Sequence, residues 1–539
     1  MHQLTRREWM VAAGAGSLPG GRSPRVEIEG RSYELKRGRN RFAWGSADYE
    51  AGPERQRIVI DAPSKTRLVV PHGIAFDKAW LPLRNGELRP GREAAYSLAG
   101  GHTLPQPEAL AIPLIDAEAG GRRYALCADP GHTTGFRSGE FEWVHSAGGR
   151  AERTFYTVAH TGGFRAAMDC FYRTALAHVK PGPEWLHQVA MVDYDYLSKN
   201  GRGWFADIDR LAEVIPRAQR HRVVMTLHGW YDLVGRYTYD PRTRSLDRKW
   251  TAFPNVDAPG FVAHAKASAA SSARTSGWRR VFGKMRPVEM TIEDVHRRIR
   301  YAKEKGFRCL LYFADGMDSG DGVAGVHDPT KVLAWGGWIG PDTAGKTYVQ
   351  NPLHPEVRAF YTGYLSALLD EYGKEIDGLV WDETFTVKAG QMGNPPYPGY
   401  AAAAMMSLVS ELRARVEAFS PALAFLSSDN LGSEFRAPYA LAAHGTYQDS
   451  SCIPSFWPFG LFPNLRNTLW SCNWYPENNW HYNEVAVAEF GAPVAISNGY
   501  GDDRGAAEMS PAQIERMLTL FRKRAAQDGR LRWMGEGRS

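Results

Sequence analysis

The chain is poor in cysteine, with five in 539 residues. Cys127, Cys170, Cys309, Cys452 and Cys472 are odd in number and lack ligand-type spacing, which excludes a complete disulfide framework and a cysteine-held zinc. Cys452 and Cys472 could still pair in an oxidising compartment. No stretch approaches the ~18 uninterrupted apolar residues of a membrane span. No dense Lys/Arg block is present either: a net charge of +6 is spread over 65 basic and 59 acidic residues, so nucleic acid is not an expected partner. A Gly-x-Gly-x-x-Gly loop is missing after the first strand of the C-terminal part, which removes the commonest use of an open α/β sheet. A nucleophilic-serine elbow and a His-Glu-x-x-His helix are missing too, and the hydrolase classes built on them lose support.

What is present begins with Leu4-Thr5-Arg6-Arg7-Glu8-Trp9-Met10-Val11-Ala12-Ala13, an arginine pair before a short Ala/Gly-rich apolar run. Residues 1–23 are therefore expected to be a twin-arginine export signal, and the mature protein to be periplasmic or secreted. From 24 to 162 the pattern is short alternating or apolar runs, such as Arg57-Ile58-Val59-Ile60 and Phe155-Tyr156-Thr157-Val158, between Gly, Pro and Asn clusters. This predicts an all-β sandwich without a catalytic cluster. Residues 163–183 read as a linker helix with Phe164, Met168, Phe171, Tyr172 and Leu176 on one stripe, closed by Lys180-Pro181-Gly182-Pro183.

From 184 to 530 strand-like and helix-like segments alternate, which predicts a (β/α)8 TIM barrel, followed by a tail at 531–539. The expected strands are His187–Tyr196, Arg222–Trp230, Phe307–Phe313, Ile376–Asp382, Leu423–Leu426, Thr446–Asp449, Asn467–Trp474 and Pro493–Ser497. A doubly wound open sheet is the architectural alternative. Thr291-Ile292-Glu293-Asp294 opens the second helix with a capping box, and Ser510-Pro511 opens the last. An insertion at 236–290, rich in small residues, is either a lid or subsite wall or a functionless disordered segment.

The sharpest chemical signal is Ile376-Asp377-Gly378-Leu379-Val380-Trp381-Asp382-Glu383, an apolar run ending in two carboxylates. A run apolar on both faces suits a buried parallel strand, and catalytic groups sit at the C-terminal ends of barrel strands. The preceding helix is equally legible. Pro355 stands at its first turn, Val357, Phe360, Tyr364, Leu368 and Tyr372 recur at helical spacing, and Gly373 stops it. With its Asn351-Pro352-x-x-Pro355-Glu356-Val357-Arg358 opening and its Asp377-Gly378-x-x-x-Asp382 close, this unit resembles the fourth barrel unit of the α-galactosidase (melibiase) and α-glucosidase superfamily.

The resemblance implies a glycoside hydrolase that cleaves an α-linked sugar by a retaining two-carboxylate mechanism, with Asp382 as nucleophile and no cofactor. It places the acid/base on the sixth strand, at Asp449, with Asp429 after the fifth strand as the alternative. The chain departs from the superfamily in ending soon after the eighth unit, without the C-terminal β domain common there. Strand-end residues Asp193, His228, Trp230, Asp232 and Asp315, with Trp381, Glu383 and Trp474, are the expected substrate contacts. Seventeen Trp and 24 Tyr supply flat faces on which sugar rings stack, though large cores use them too. Asp315-Gly316-Met317-Asp318-Ser319-Gly320-Asp321 spaces its carboxylates every third residue without a distal Glu, so no metal is assigned. A degenerate barrel that binds carbohydrate without turnover stays open, as does the oligomeric state.

Overall fold

The computed structural model describes residues 22–83, 88–96, 109–110, 112–130, 132–145, 148–177, 182–195, 197, 201–232, 235–252, 288–320, 328–335, 347–382, 384–387, 391–428, 442–449, 469–471, 483–484, 487–488, 493–497 and 505–527. The arginine pair, Cys452, Cys472 and most of the 236–290 insertion lie outside them. The chain divides into two compact units, 1–179 and 180–539.

The first unit holds a seven-stranded and an eight-stranded sheet. Strand Glu140–His145 alternates strictly, burying Phe141, Trp143 and His145, as one covered face requires. Phe141 stacks on Phe155 of the other sheet at 5.0 Å between ring centres. Helix α1 (Phe164–Arg173) buries Phe164, Ala167, Met168, Cys170, Phe171 and Tyr172 and packs on the eight-stranded sheet.

The second unit is built on eight parallel strands: β1 (Met191–Asp195), β2 (Val223–Leu227), β3 (Arg308–Asp315), β4 (Gly378–Asp382), β5 (Ala424–Ser428), β6 (Gly445–Asp449), β7 (Leu469–Ser471) and β8 (Val494–Ser497). Their hydrogen-bonded order is β7-β6-β5-β4-β3-β2-β1-β8. Strands β1, β2 and β4 are buried along their whole length, which is why they read as continuous apolar runs. Helices α2 (Gly203–Val214), α3 (Ile292–Glu304), α4 (Pro355–Tyr372), α5 (Ala401–Phe419) and α6 (Pro511–Ala525) alternate with them. The predicted capping box forms at α3, where Thr291 Oγ1 accepts from the Asp294 amide at 3.2 Å and the Asp294 carboxylate accepts from the Thr291 amide at 3.1 Å. At the insertion, Tyr239–Asp240 pairs with Ser245–Leu246, and Lys249–Ala252 pairs with Val288–Thr291.

The β4 entry is tied from below. Asp377 accepts from Lys303 Nζ at 2.6 Å, Arg308 Nη1 at 3.0 Å and the Cys309 amide at 2.8 Å. Asp377→Ala strands two cations and a buried N–H, and since Lys303 is partly exposed the expected loss is about 2 kcal/mol. A melting midpoint equal to that of the parent would refute this role.

Between α3 and α4, His296 Nδ1 faces Glu375 and Nε2 faces Glu371, each at 2.9 Å. Two carboxylate acceptors require both ring nitrogens to donate, so the clamp holds an imidazolium. Burial lowers the ring's pKa, but the hydrogen bonds and charges of the two glutamates outweigh it, and the net shift is upward. A group whose pKa rises on folding stabilises fully below its unfolded value, roughly 6.5, and loses that stabilisation as pH climbs through the folded value. The gap in melting midpoint between the parent and His296→Gln is therefore expected to be widest below about pH 6.5 and to narrow as pH rises above it. A gap constant across that range would show that the charge is not what stabilises.

Candidate active site

Three glycine-and-cap details place β4. His354 Nδ1 accepts from the Glu356 amide at 3.1 Å and starts α4 with Pro355 in its first turn. Gly373 ends the helix at φ −58°, so its role is close approach and not a left-handed turn: a Cβ there would meet the Leu369 carbonyl at 2.4 Å. A Cβ on Gly378 would meet the Ala424 carbonyl at 2.3 Å, so only glycine lets β4 lie this close to β5. The buried face of α4 is Val357, Tyr361, Tyr364, Leu365, Leu368, Leu369 and Tyr372, with Phe360 only half-buried.

At the far end of β4, Asp382 is 7% exposed. Its Oδ2 accepts from the Tyr312 phenol of β3 at 2.9 Å and from the Tyr194 phenol of β1 at 3.5 Å. Its carbonyl accepts from the Gly316 amide at 2.7 Å. His228, just past β2, lies against both phenols, 5.3 Å from the Tyr194 ring and 3.7 Å edge-on to that of Tyr312. Tyr231 stacks on Tyr312 at 5.7 Å. Burial pushes the His228 pKa well below its ordinary value, which leaves a neutral ring at pH 7. The first four strands thus each send one polar side chain to a common point, and Asp382 is its carboxylate.

The alternation of β1 moves Asp193 away from that point. Because Tyr194 reaches Asp382, its neighbours belong to the opposite face. The Asp193 carboxyl is fully buried, and burial, followed by Asp207 of α2 and by Asp195, pushes its pKa well above the usual range. Asp193 thus faces away from Asp382. Trp381 faces away for the same reason: as neighbour of Asp382 it lies toward the helices, stacked on Tyr361 at 5.1 Å with Nε1 donating to the Gly316 carbonyl at 2.8 Å. Trp230 is fully buried, edge-on to Trp250 and Tyr372, and donates to the Tyr312 carbonyl at 3.0 Å. It braces the Tyr312 backbone from this position. Asp232 is engaged by its own loop, with Arg236 on Oδ2 and the Thr238 amide on Oδ1 at 2.7 Å. Of the predicted contacts with described side chains, His228 alone joins Asp382.

Asp315 pairs in register with Asp382, past a bulge between Tyr312 and Ala314. Asp449 closes β6, two strands from β4. The side chains of both lie outside the described residues, as do Glu383, Asp429 and Trp474 entirely. Tyr194 and Tyr312 were missed by sequence reasoning. The signal was available, since Tyr194 and Thr226 share a register row and His228 lies two residues beyond, so choosing His228 implied choosing Tyr194 over its acidic neighbours.

No family model and no curated protein matches the chain. Among solved structures it is similar to the GH36 alpha-galactosidase AgaA of Geobacillus stearothermophilus, at TM-score 0.51 and 12% identity over 93% of this chain and 75% of that one. A variant of AgaA in complex with raffinose gives TM-score 0.52 at 11% identity with the same coverage. A variant in complex with 1-deoxygalactonojirimycin gives 0.51 at 11%, covering 89% of this chain and 67% of that one. The chain therefore shares its fold with the GH36 alpha-galactosidase.

Proposed function

We propose that this chain is a glycosidase cleaving an α-glycosidic bond with retention, Asp382 attacking as nucleophile and Asp449 serving as acid/base. The observation that carries the reading is Asp382 itself, a carboxylate at the C-terminal end of a parallel strand, hydrogen-bonded by phenols from two other strands. A retaining mechanism needs such a carboxylate held in fixed geometry on one side of the sugar and a second carboxyl on the other.

We read the eight strands as a closed (β/α)8 barrel. Sequential order with β8 beside β1 supports this, as does the approach of β7 to β8. Register supports Asp449: Val380 pairs with Leu426 and Leu426 with Gly445, and even steps lead from Val380 to Asp382 and from Gly445 to Asp449. The shared fold with an α-galactosidase makes an α-galactoside the first substrate to try. The 24–162 sandwich, the 163–183 linker, the 184–530 catalytic domain and export through the arginine pair belong to the same proposal.

The test is purified protein against a panel of aryl α- and β-glycosides, with the anomer of the first product followed by NMR. Release from an α-glycoside with an α-product is expected. Release from β-glycosides alone, or a β-product from an α-substrate, would overturn the assignment.

A further inference from the structure

We propose that one edge of the first unit is a binding site for an acidic polysaccharide whose charges are carboxylates. The edge is made by two strands that follow each other in the chain. Strand Arg31–Glu34 is the last of the seven-stranded sheet, and strand Gly38–Phe42 is the last of the eight-stranded sheet. Arg31, Lys36, Arg37, Arg39 and Arg41 lie on these strands and their connection, all exposed, and Glu34 is the one carboxylate between 31 and 41. In sequence the cations are interleaved with polar and aromatic residues and form no block; the fold collects them along one rim. Their side chains make no ion pair or hydrogen bond among the described residues, even that of Arg39, which pairs in register with Asp48. The strands next to them behave otherwise. Arg25 holds Glu27 at 3.2 Å, and Arg67 holds Glu27 and Glu142, each at 2.6 Å. Like charges left unneutralised repel one another, and a bound polyanion removes that cost.

The backbone that carries the cations is held in place. Asn40 Oδ1 accepts from the Lys36 amide at 2.9 Å, and Asn40 Nδ2 donates to the Lys36 carbonyl at 2.7 Å, which closes the connection. The Leu35 amide donates to the Pro24 carbonyl at 2.7 Å. Binding therefore has little backbone left to order. Beside the cations stands a group of rings. Trp44, in the turn after Phe42, stacks on it at 4.8 Å and 13°, and the Tyr33 ring of the other strand lies 5.3 Å from Phe42 and 5.8 Å from Trp44. All three are half-buried. Rings beside guanidinium groups suit a sugar that carries its own charge, the C–H face lying on an aromatic ring and the carboxylate meeting the planar guanidinium fork. A nucleic acid is the poorer match, because successive bases need successive platforms and these rings are packed on one another as one. That the polyanion is a glycan rests on the glycosidase reading.

The bland alternative is edge protection, since Lys and Arg on edge strands deter pairing with other sheets. Calorimetry on the full chain separates the two, with polygalacturonate as probe beside dextran, chondroitin sulfate and a single-stranded oligonucleotide. Polygalacturonate is expected to bind, more weakly as salt rises, and dextran is not. Arg39→Gln with Arg41→Gln should weaken that binding on the order of tenfold and flatten its salt dependence. Arg217→Gln with Lys523→Gln removes the same charge from exposed positions of the second unit and should leave it unchanged. Trp44→Ala should weaken binding with the salt dependence intact. Equal affinity for dextran, or equal losses from the two pairs of substitutions, would overturn the site. Tighter binding of chondroitin sulfate or of the oligonucleotide would overturn the assigned partner. Absence of binding, with aggregation of the Arg39→Gln, Arg41→Gln protein in light scattering, would leave edge protection as the role. Binding without hydrolysis of any glycoside would remove the glycosidase reading and keep the site, and hydrolysis without binding would do the reverse.

Discussion

Asp382→Asn is expected to leave a folded protein whose turnover of an aryl α-glycoside is lower by roughly 10⁴- to 10⁶-fold, the span that loss of a single catalytic-triad member produces in a serine hydrolase. The amide has the carboxylate's shape, and its oxygen can still accept from Tyr312, so the fold loses little. What disappears is the charge that opposes the cation-like anomeric centre and the electron pair that forms the ester. Side-chain size, burial and the Gly316 contact to the backbone all stay. The check is a kinetic assay beside a melting curve on the same preparation. A drop in midpoint that matched the loss of rate would assign Asp382 to stability. Activity equal to that of the parent would remove it from the mechanism.

The parallel sheet was legible because its strands are covered on both faces. Burial on both sides demands runs such as Met191-Val192 and Gly378-Leu379-Val380-Trp381, and demands punctuation by Gly, Pro and capping residues between them. Asp382 was legible because an acid is expensive at the end of such a run and needs a reason to be there. The supporting shell was less so. Acids at Asp193 and Asp232 drew notice by type, whereas the face of a strand residue is set by parity, which type does not reveal. Asp193 and Tyr194 differ by one position and fall on opposite sides of β1. Trp230 and Trp381 show the same confusion in aromatic residues: indole rings suit sugar stacking and core packing alike, and only burial distinguishes them. The Arg236 contact that engages Asp232 joins residues four apart in a loop whose path has no periodicity to read. The three-stranded sheet of Asp318–Gly320, Thr347–Gln350 and Val332–Trp335 went unpredicted for a related reason, since short edge segments bury too little to show a pattern.

Asp449→Ala is expected to separate substrates by their leaving groups. A general acid contributes roughly 10²- to 10⁴-fold where the departing oxygen is basic, and little where an acidic phenol departs unaided. Natural α-linked sugars should therefore lose most of their rate, while the first step on an activated aryl glycoside keeps much of its own. The second step then becomes limiting, because water has lost its base. Azide should restore turnover there, since it needs no deprotonation and meets no negative charge once the carboxylate is gone, and the product should be the α-glycosyl azide. Asp449 stands at the end of β6, where even register steps connect it to the row of Asp382. Asp429 follows β5 and lies outside the described residues. Asp429→Ala should accordingly lose activity without leaving-group dependence and without azide rescue. Rescue of Asp429→Ala and none for Asp449→Ala would move the acid/base to the fifth strand while leaving Asp382 as the nucleophile.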